Sequence, residues 1–147
     1  MKALQHKLEG LIQLGSDYIL GCSESEISHR RSPEKWSKKE ILGHLIDSAV
    51  NNLKRFTEIQ FEEKPYRFDN YKQNDLVKAN DYQNSDTREL LDFWNAINNR
   101  IVYLFGIQNE ETLNFEIALE NGDVCDLRFL MEDYLDHLEY HLNQIIA

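Results

Sequence analysis

Cysteine, proline and glycine are all scarce in this chain: two, two and six residues among 147. Cys22 and Cys125 stand far apart and form no Cys-x-x-Cys pair, which argues against both a disulfide framework and a paired-cysteine metal site. So few chain-breaking residues leave room for long uninterrupted helices. Positive charge is also short: 16 Lys and Arg stand against 26 Asp and Glu, a net charge of −10. Nucleic acid and anionic membranes would be repelled, so neither is expected as a partner; the basic cluster His29-Arg30-Arg31 is too short to reverse that. No apolar run is long enough to cross a bilayer, and Met1-Lys-Ala-Leu-Gln-His-Lys7 lacks the apolar core of a secretion signal. A cytoplasmic protein is expected. The chain also contains no glycine-rich phosphate loop, no Gly-x-Ser-x-Gly elbow and no His-Glu-x-x-His motif.

What is present is helical periodicity. Residues 1–147 suit a single domain with a proper core, and four amphipathic patterns run along them. The first, Leu4 to Leu20, places Leu4, Leu8, Leu11, Ile12 and Ile19 on one face; Gly10 and Gly15 weaken it and Gly21 ends it. After a polar segment, Ser37-Lys-Lys-Glu40 forms a capping box that opens a second helix, expected to reach about Glu62 before Pro65. Tyr66 to Asn84 lacks a sustained period and reads as a long connection with a helical turn near Asp75–Ala79. Ser85 or Asp86 then caps a third helix extending to about Phe105. Asn121-Gly122 signals a short hairpin, and Asp126 can cap the last helix, which runs almost to Ala147. The fold class is therefore all-α: a four-helix bundle with a long crossing loop and a short hairpin before the last helix.

The polar residues that border these apolar faces carry the chemistry. His137 and His141 are four apart on the last helix, so their rings share one face. They flank an apolar arc of Leu127, Met131, Leu135, Leu138, Leu142, Ile145 and Ile146. On the second helix His44 aligns with Ser48, Asn51 and Arg55 at steps of four, three and four, with Asn52 further into the apolar face. Each histidine alone reads as an ordinary hydrogen-bonded residue. If the two stripes meet, they enclose a polar cavity with three histidines, a ligand set that leaves open positions on an ion. His6 and His29 read as surface residues. Asp47, one turn from His44, reads as a solvated carboxylate, an acceptor for His44 or an extra ligand. Cys125 reads as a small half-buried residue and Trp36 as an apolar staple at the start of the second helix. Tyr71, Gln73, Asn74 and Tyr82 are loop residues that either line a pocket or face solvent.

Two blocks resemble the DinB/YfiT-like superfamily of metal-binding four-helix proteins. One is Lys35-Trp36-Ser37-Lys-Lys-Glu-Ile-Leu-Gly-His44-Leu-Ile-Asp-Ser48; the other is Glu132-Asp-Tyr-Leu-Asp-His137-Leu-Glu-Tyr-His141-Leu-Asn-Gln144-Ile145. The resemblance implies an up-down-down-up bundle and a homodimer. It also implies a divalent ion, nickel or zinc, held by His44, His137, His141 and water. Relatives of this type include thiol-dependent S-transferases, a thiol-dependent isomerase and proteins described as metal-dependent hydrolases. The expected function is metal-dependent transfer of a low-molecular-weight thiol to a small electrophile, with Asn51, Asn52 and Arg55 as candidates to orient the thiol or an anionic substrate. The alternatives are a metal-dependent amide or ester hydrolase and a non-catalytic metal-binding or stress-response module.

Overall fold

A computed structural model describes residues 1–147. Four long helices make the framework: α1 (Lys2–Leu20), α3 (Lys38–Glu58), α5 (Thr87–Gly106) and α7 (Leu127–Ile146). Short elements fill the connections: α2 (Glu24–Ser28), α4 (Gln73–Ala79), a 3₁₀ turn (Tyr82–Asn84), α6 (Glu110–Leu113) and the strands β1 (Glu116–Ala118) and β2 (Val124–Asp126). The main packing pairs are α1 and α3, each against both α5 and α7. One apolar core draws on all four long helices, with Leu8, Leu45, Ile46, Trp94, Ile101, Phe105, Leu135 and Leu138 at its centre. No helix is long and apolar enough to cross a membrane.

The expected capping residues act as expected. The Ser37 side chain accepts from the Glu40 amide while the Glu40 carboxylate accepts from the Ser37 amide, completing the capping box. Asp86 caps α5 and Asp126 caps α7, each accepting from an amide three residues on. Such caps contribute roughly 1 kcal/mol apiece. The expected hairpin is present: Ile117 pairs with Cys125 in an antiparallel ladder, and Gly122 takes φ +89° in the turn, where a glycine is needed.

Two features differ from expectation and one boundary matches it. α3 stops at Glu58, short of Glu62, and Tyr66 then pairs with Ile117 alongside β1. Gly21 ends α1 as expected, with φ −85° and so without a left-handed turn. The polar segment after it contains α2, capped by Ser23 accepting from the Glu26 amide. Buried Lys39 fastens α2 to the start of α5, donating to the Glu24 carboxylate and, at 2.8 Å, to the Ser85 carbonyl.

Two helix glycines permit close packing. A Cβ on Gly15 would lie 2.8 Å from the Trp94 ring and 2.9 Å from Leu142, so α1 approaches both neighbours there. A Cβ on Gly43 would lie 2.1 Å from the Tyr82 ring. That second contact seats the 3₁₀ turn on α3 beside His44.

Candidate metal centre

α3 and α7 bring His44, His137 and His141 together, with one ligand atom from each lying within 4.8 Å of the others. The ring centroids are 4.6–5.0 Å apart. The Nε2 atoms of His44 and His137 are 3.1 Å apart. Two nitrogens bound at 2.0–2.1 Å to one ion, at angles between octahedral and tetrahedral, would be roughly 2.9–3.4 Å apart. The observed spacing therefore suits two lone pairs aimed at one ion as well as a hydrogen bond between two neutral rings.

Burial sets the protonation of the cluster. It pushes His44 down to about 3, with the positive charge of the other two rings adding to the effect. His137 is pushed down to about 4 by burial and then by His141. His141 is also lowered by burial, against an opposing hydrogen bond to Gln144. All three rings are neutral at neutral pH, the state in which imidazole is a ligand. Gln144 Oε1 lies 2.8 Å from His141 Nδ1; accepting a proton there leaves His141 Nε2 free to ligate. Ser48 Oγ stands 3.5 Å from His137 Nδ1, at the outer limit of contact. Three neutral nitrogen donors without a thiolate or carboxylate fit a borderline divalent ion such as zinc or nickel.

The surroundings are drier than the sequence implies. His44 is 0% exposed, whereas a helix margin position would be half-exposed. The cause is cover: Trp36 tilts over the ring at 4.9 Å, and the His137 and His141 rings of α7 pack against it at 5.0 and 4.6 Å. Trp36 therefore packs on a candidate ligand as well as at the start of the helix. Asp47 is not a solvated carboxylate. It is buried, and its Oδ1 accepts from the Tyr82 hydroxyl at 2.5 Å and from Asn80 at 3.2 Å. Burial raises its pKa against those two bonds. Asp47 Oδ2 and His44 Nδ1 are both buried and unpartnered, so the alternative in which Asp47 accepts from His44 is not realised either.

The remaining candidates are placed as follows. Asn51 donates to the Asp47 carbonyl and Asn52 to the Ser48 carbonyl, each at 2.8 Å, so one amide proton of each is held by its own helix. Arg55 is buried, donates to the Asp69 carbonyl at 2.9 Å and stacks on Phe68 at 3.9 Å, with Tyr71 further out. Tyr82 is a core residue, while Asn74 lines a cavity of about 640 Å³ beside Trp36; Gln73 is exposed. Cys125 is half-buried with its thiol pushed up by burial, so it is poorly suited to act as a nucleophile. His6 and His29 are both exposed. Sequence reasoning missed Asn80 and the Gly43–Tyr82 contact, because neither lies on a periodic face.

Solved structures share this architecture. YfiT from Bacillus subtilis, described as a probable metal-dependent hydrolase with an unusual four-helix bundle topology, superposes with a TM-score of 0.88 at 17% identity. That match covers 99% of this chain and 83% of YfiT. The mycothiol-dependent maleylpyruvate isomerase superposes with a TM-score of 0.78 at 12% identity over 99% of this chain; a mutant of it gives 0.78 at 11%. This chain spans 60% of the isomerase's length. At such identities the likeness is one of fold. No curated protein sequence matches the chain. The sequence model of the DinB superfamily matches residues 8–145 and so spans most of α1, all of α3 and α5, nearly all of α7, and the three clustered histidines. This chain belongs to the DinB superfamily.

Proposed function

We propose that this protein is a divalent-metal-dependent enzyme that transfers a low-molecular-weight thiol to a small electrophile. The observation that carries the reading is the set of three neutral imidazoles converging within 4.8 Å, with no carboxylate among them. His44, His137 and His141 would hold the ion, nickel or zinc, and Gln144 would fix the orientation of His141. When bound, such an ion supplies a Lewis-acid centre that favours the thiolate form of a thiol at neutral pH. The protein's own part is to present three lone pairs without competing protons and to shield His44 from water under Trp36. Asn51, Asn52 and Arg55 continue along α3 from His44 and are the proposed orienting residues for the thiol or an anionic substrate.

Metal-dependent hydrolysis of an amide or ester is the second reading, favoured by the likeness to YfiT. Hydrolysis calls for a base within reach of the attacking water. Asp47, three residues from His44, is instead buried under Tyr82 and Asn80, which weighs against Asp47 in that role and to that extent favours the thiol reading. The deciding experiment loads the protein with zinc or nickel and offers bimane and dinitrophenyl electrophiles, with and without a panel of small thiols. Metal-dependent turnover that requires thiol supports transfer. Ester or amide cleavage without thiol would replace it with hydrolysis, and metal binding with neither activity would favour a non-catalytic module. A homodimer with a small-molecule substrate belongs to the same proposal; light scattering should then give about twice the 17.4 kDa chain mass.

A further inference from the structure

The cluster His29-Arg30-Arg31, too short in sequence to mean much, is divided by the fold. Arg30 is spent on Glu40, with two hydrogen bonds at 2.8 and 2.9 Å that lock the start of α3. His29 and Arg31 turn instead to a groove of about 770 Å³, joined there by Lys35 and Lys38. Glu26 is the only acidic side chain in its lining, which also reaches the last residue, Ala147, and Lys38 already sits 3.6 Å from Glu26. Arg31 and Lys35 are exposed and have no ion-pair partner. In a chain of net charge −10, three cationic side chains against one acidic side chain is a local reversal of sign, and grooves of one sign concentrate small ions of the other.

The groove also abuts the histidines. Trp36 and Gln144 both line it. Trp36 packs on His44, and Gln144 holds His141 Nδ1. Two of its walls are thus the outer sides of residues that touch two of the three candidate ligands. The Trp36 and Ile41 side chains give the groove apolar cover beside Arg31 and Lys35, so a small molecule long enough to extend from the histidines past Trp36 or Gln144 would meet those cations in it.

We propose that this groove is an anion subsite for the carboxylate-bearing end of the small molecule that reacts at the histidines, whether the thiol or the electrophile. The subsite rests on the proposed function for the reaction that follows, while its preference for anions follows from its own charge.

Backbone amide correlation spectra test it on metal-free and zinc-loaded protein. The probes are glutathione against its diethyl ester for the thiol, and fumarate against dimethyl fumarate for the electrophile. For at least one pair, the acid should shift amides of residues 29–36 and 144–147 saturably, and its ester should bind about 10-fold more weakly. Arg31→Gln with Lys35→Gln should weaken that acid roughly 10-fold, the effect of two exposed charge contacts, and so should high ionic strength. Preference within the glutathione pair assigns the subsite to the thiol, and preference within the fumarate pair assigns it to the electrophile. Equal binding of acid and ester in both pairs, shifts confined to other surfaces, or undiminished binding to the double variant would overturn the proposal. Zinc binding without any acid preference would fail the subsite alone. Acid preference without zinc binding would fail the metal reading alone.

Discussion

Replacing Gly43 with alanine separates two physical effects of opposite sign. Helix propensity alone favours alanine in the interior of α3 by about 1 kcal/mol. Packing opposes it, because the new Cβ would meet Tyr82 Cδ2 at 2.1 Å and Cγ at 2.2 Å, both atoms of a rigid ring in the core. Overpacking of this kind costs roughly 1–3 kcal/mol. Moving the ring also withdraws its hydroxyl from buried Asp47, at 2.5 Å, for roughly another 1.5–3 kcal/mol. The net expectation is destabilisation by roughly 1.5–5 kcal/mol, a Tm lower by about 5–16 °C for a chain of this size. Metal-free protein should be followed by urea and thermal denaturation beside Gly10→Ala, where nothing lies within 4 Å of the added Cβ. That control should be neutral or stabilised by up to about 1 kcal/mol. In a Tyr82→Ala background most of the Gly43→Ala penalty should vanish. A Gly43→Ala protein as stable as Gly10→Ala would refute the seating of the 3₁₀ turn on α3, and with it the account of why Asp47 is buried.

Three further outcomes are expected. The pKa of His44 is pushed down to about 3 on folding, so between there and about 6.5 the unfolded chain binds a proton that the native chain does not. Stability of the metal-free protein therefore falls as pH drops below about 6.5, with His44 accounting for about 2 kcal/mol at pH 5; urea midpoints at pH 7 and 5 should show that excess over His44→Asn. Gln144→Ala should weaken zinc binding roughly 10-fold in chelator competition while leaving the apo-protein Tm unchanged, because the partner of His141 Nδ1 is lost together with only a long, exposed contact to the Tyr140 hydroxyl. Tyr134→Phe removes the donor 2.6 Å from buried Asn98 Oδ1, so its unfolding free energy should fall by about 1–3 kcal/mol.

The long helices and their caps were legible because period and capping chemistry are local. Ser37, Asp86 and Asp126 cap where their side chains reach an amide three residues on, and sequence shows that spacing directly. α2 was equally local: Ser23-Glu-Ser-Glu26 carries the same Ser-x-x-Glu spacing as Ser37 to Glu40, but no long apolar run follows to mark it. The three histidines were visible as margins of two helical faces. Their depth was not, because His44 is covered by Trp36 from the connection before α3 and by two rings from the far end of the chain. Asp47 shows the same limit: its partners Asn80 and Tyr82 come from a segment with no helical period, so no pattern on α3 could announce them.

The central claim is that His44, His137 and His141 form one metal site, and metal content measures it most directly. Untagged protein, reconstituted with zinc or nickel and desalted, should be analysed by plasma mass spectrometry beside His44→Ala and His141→Ala. The account predicts close to one ion per wild-type chain and loss of that ion in both variants. No ion in the wild type after reconstitution, or full retention by either variant, would contradict it.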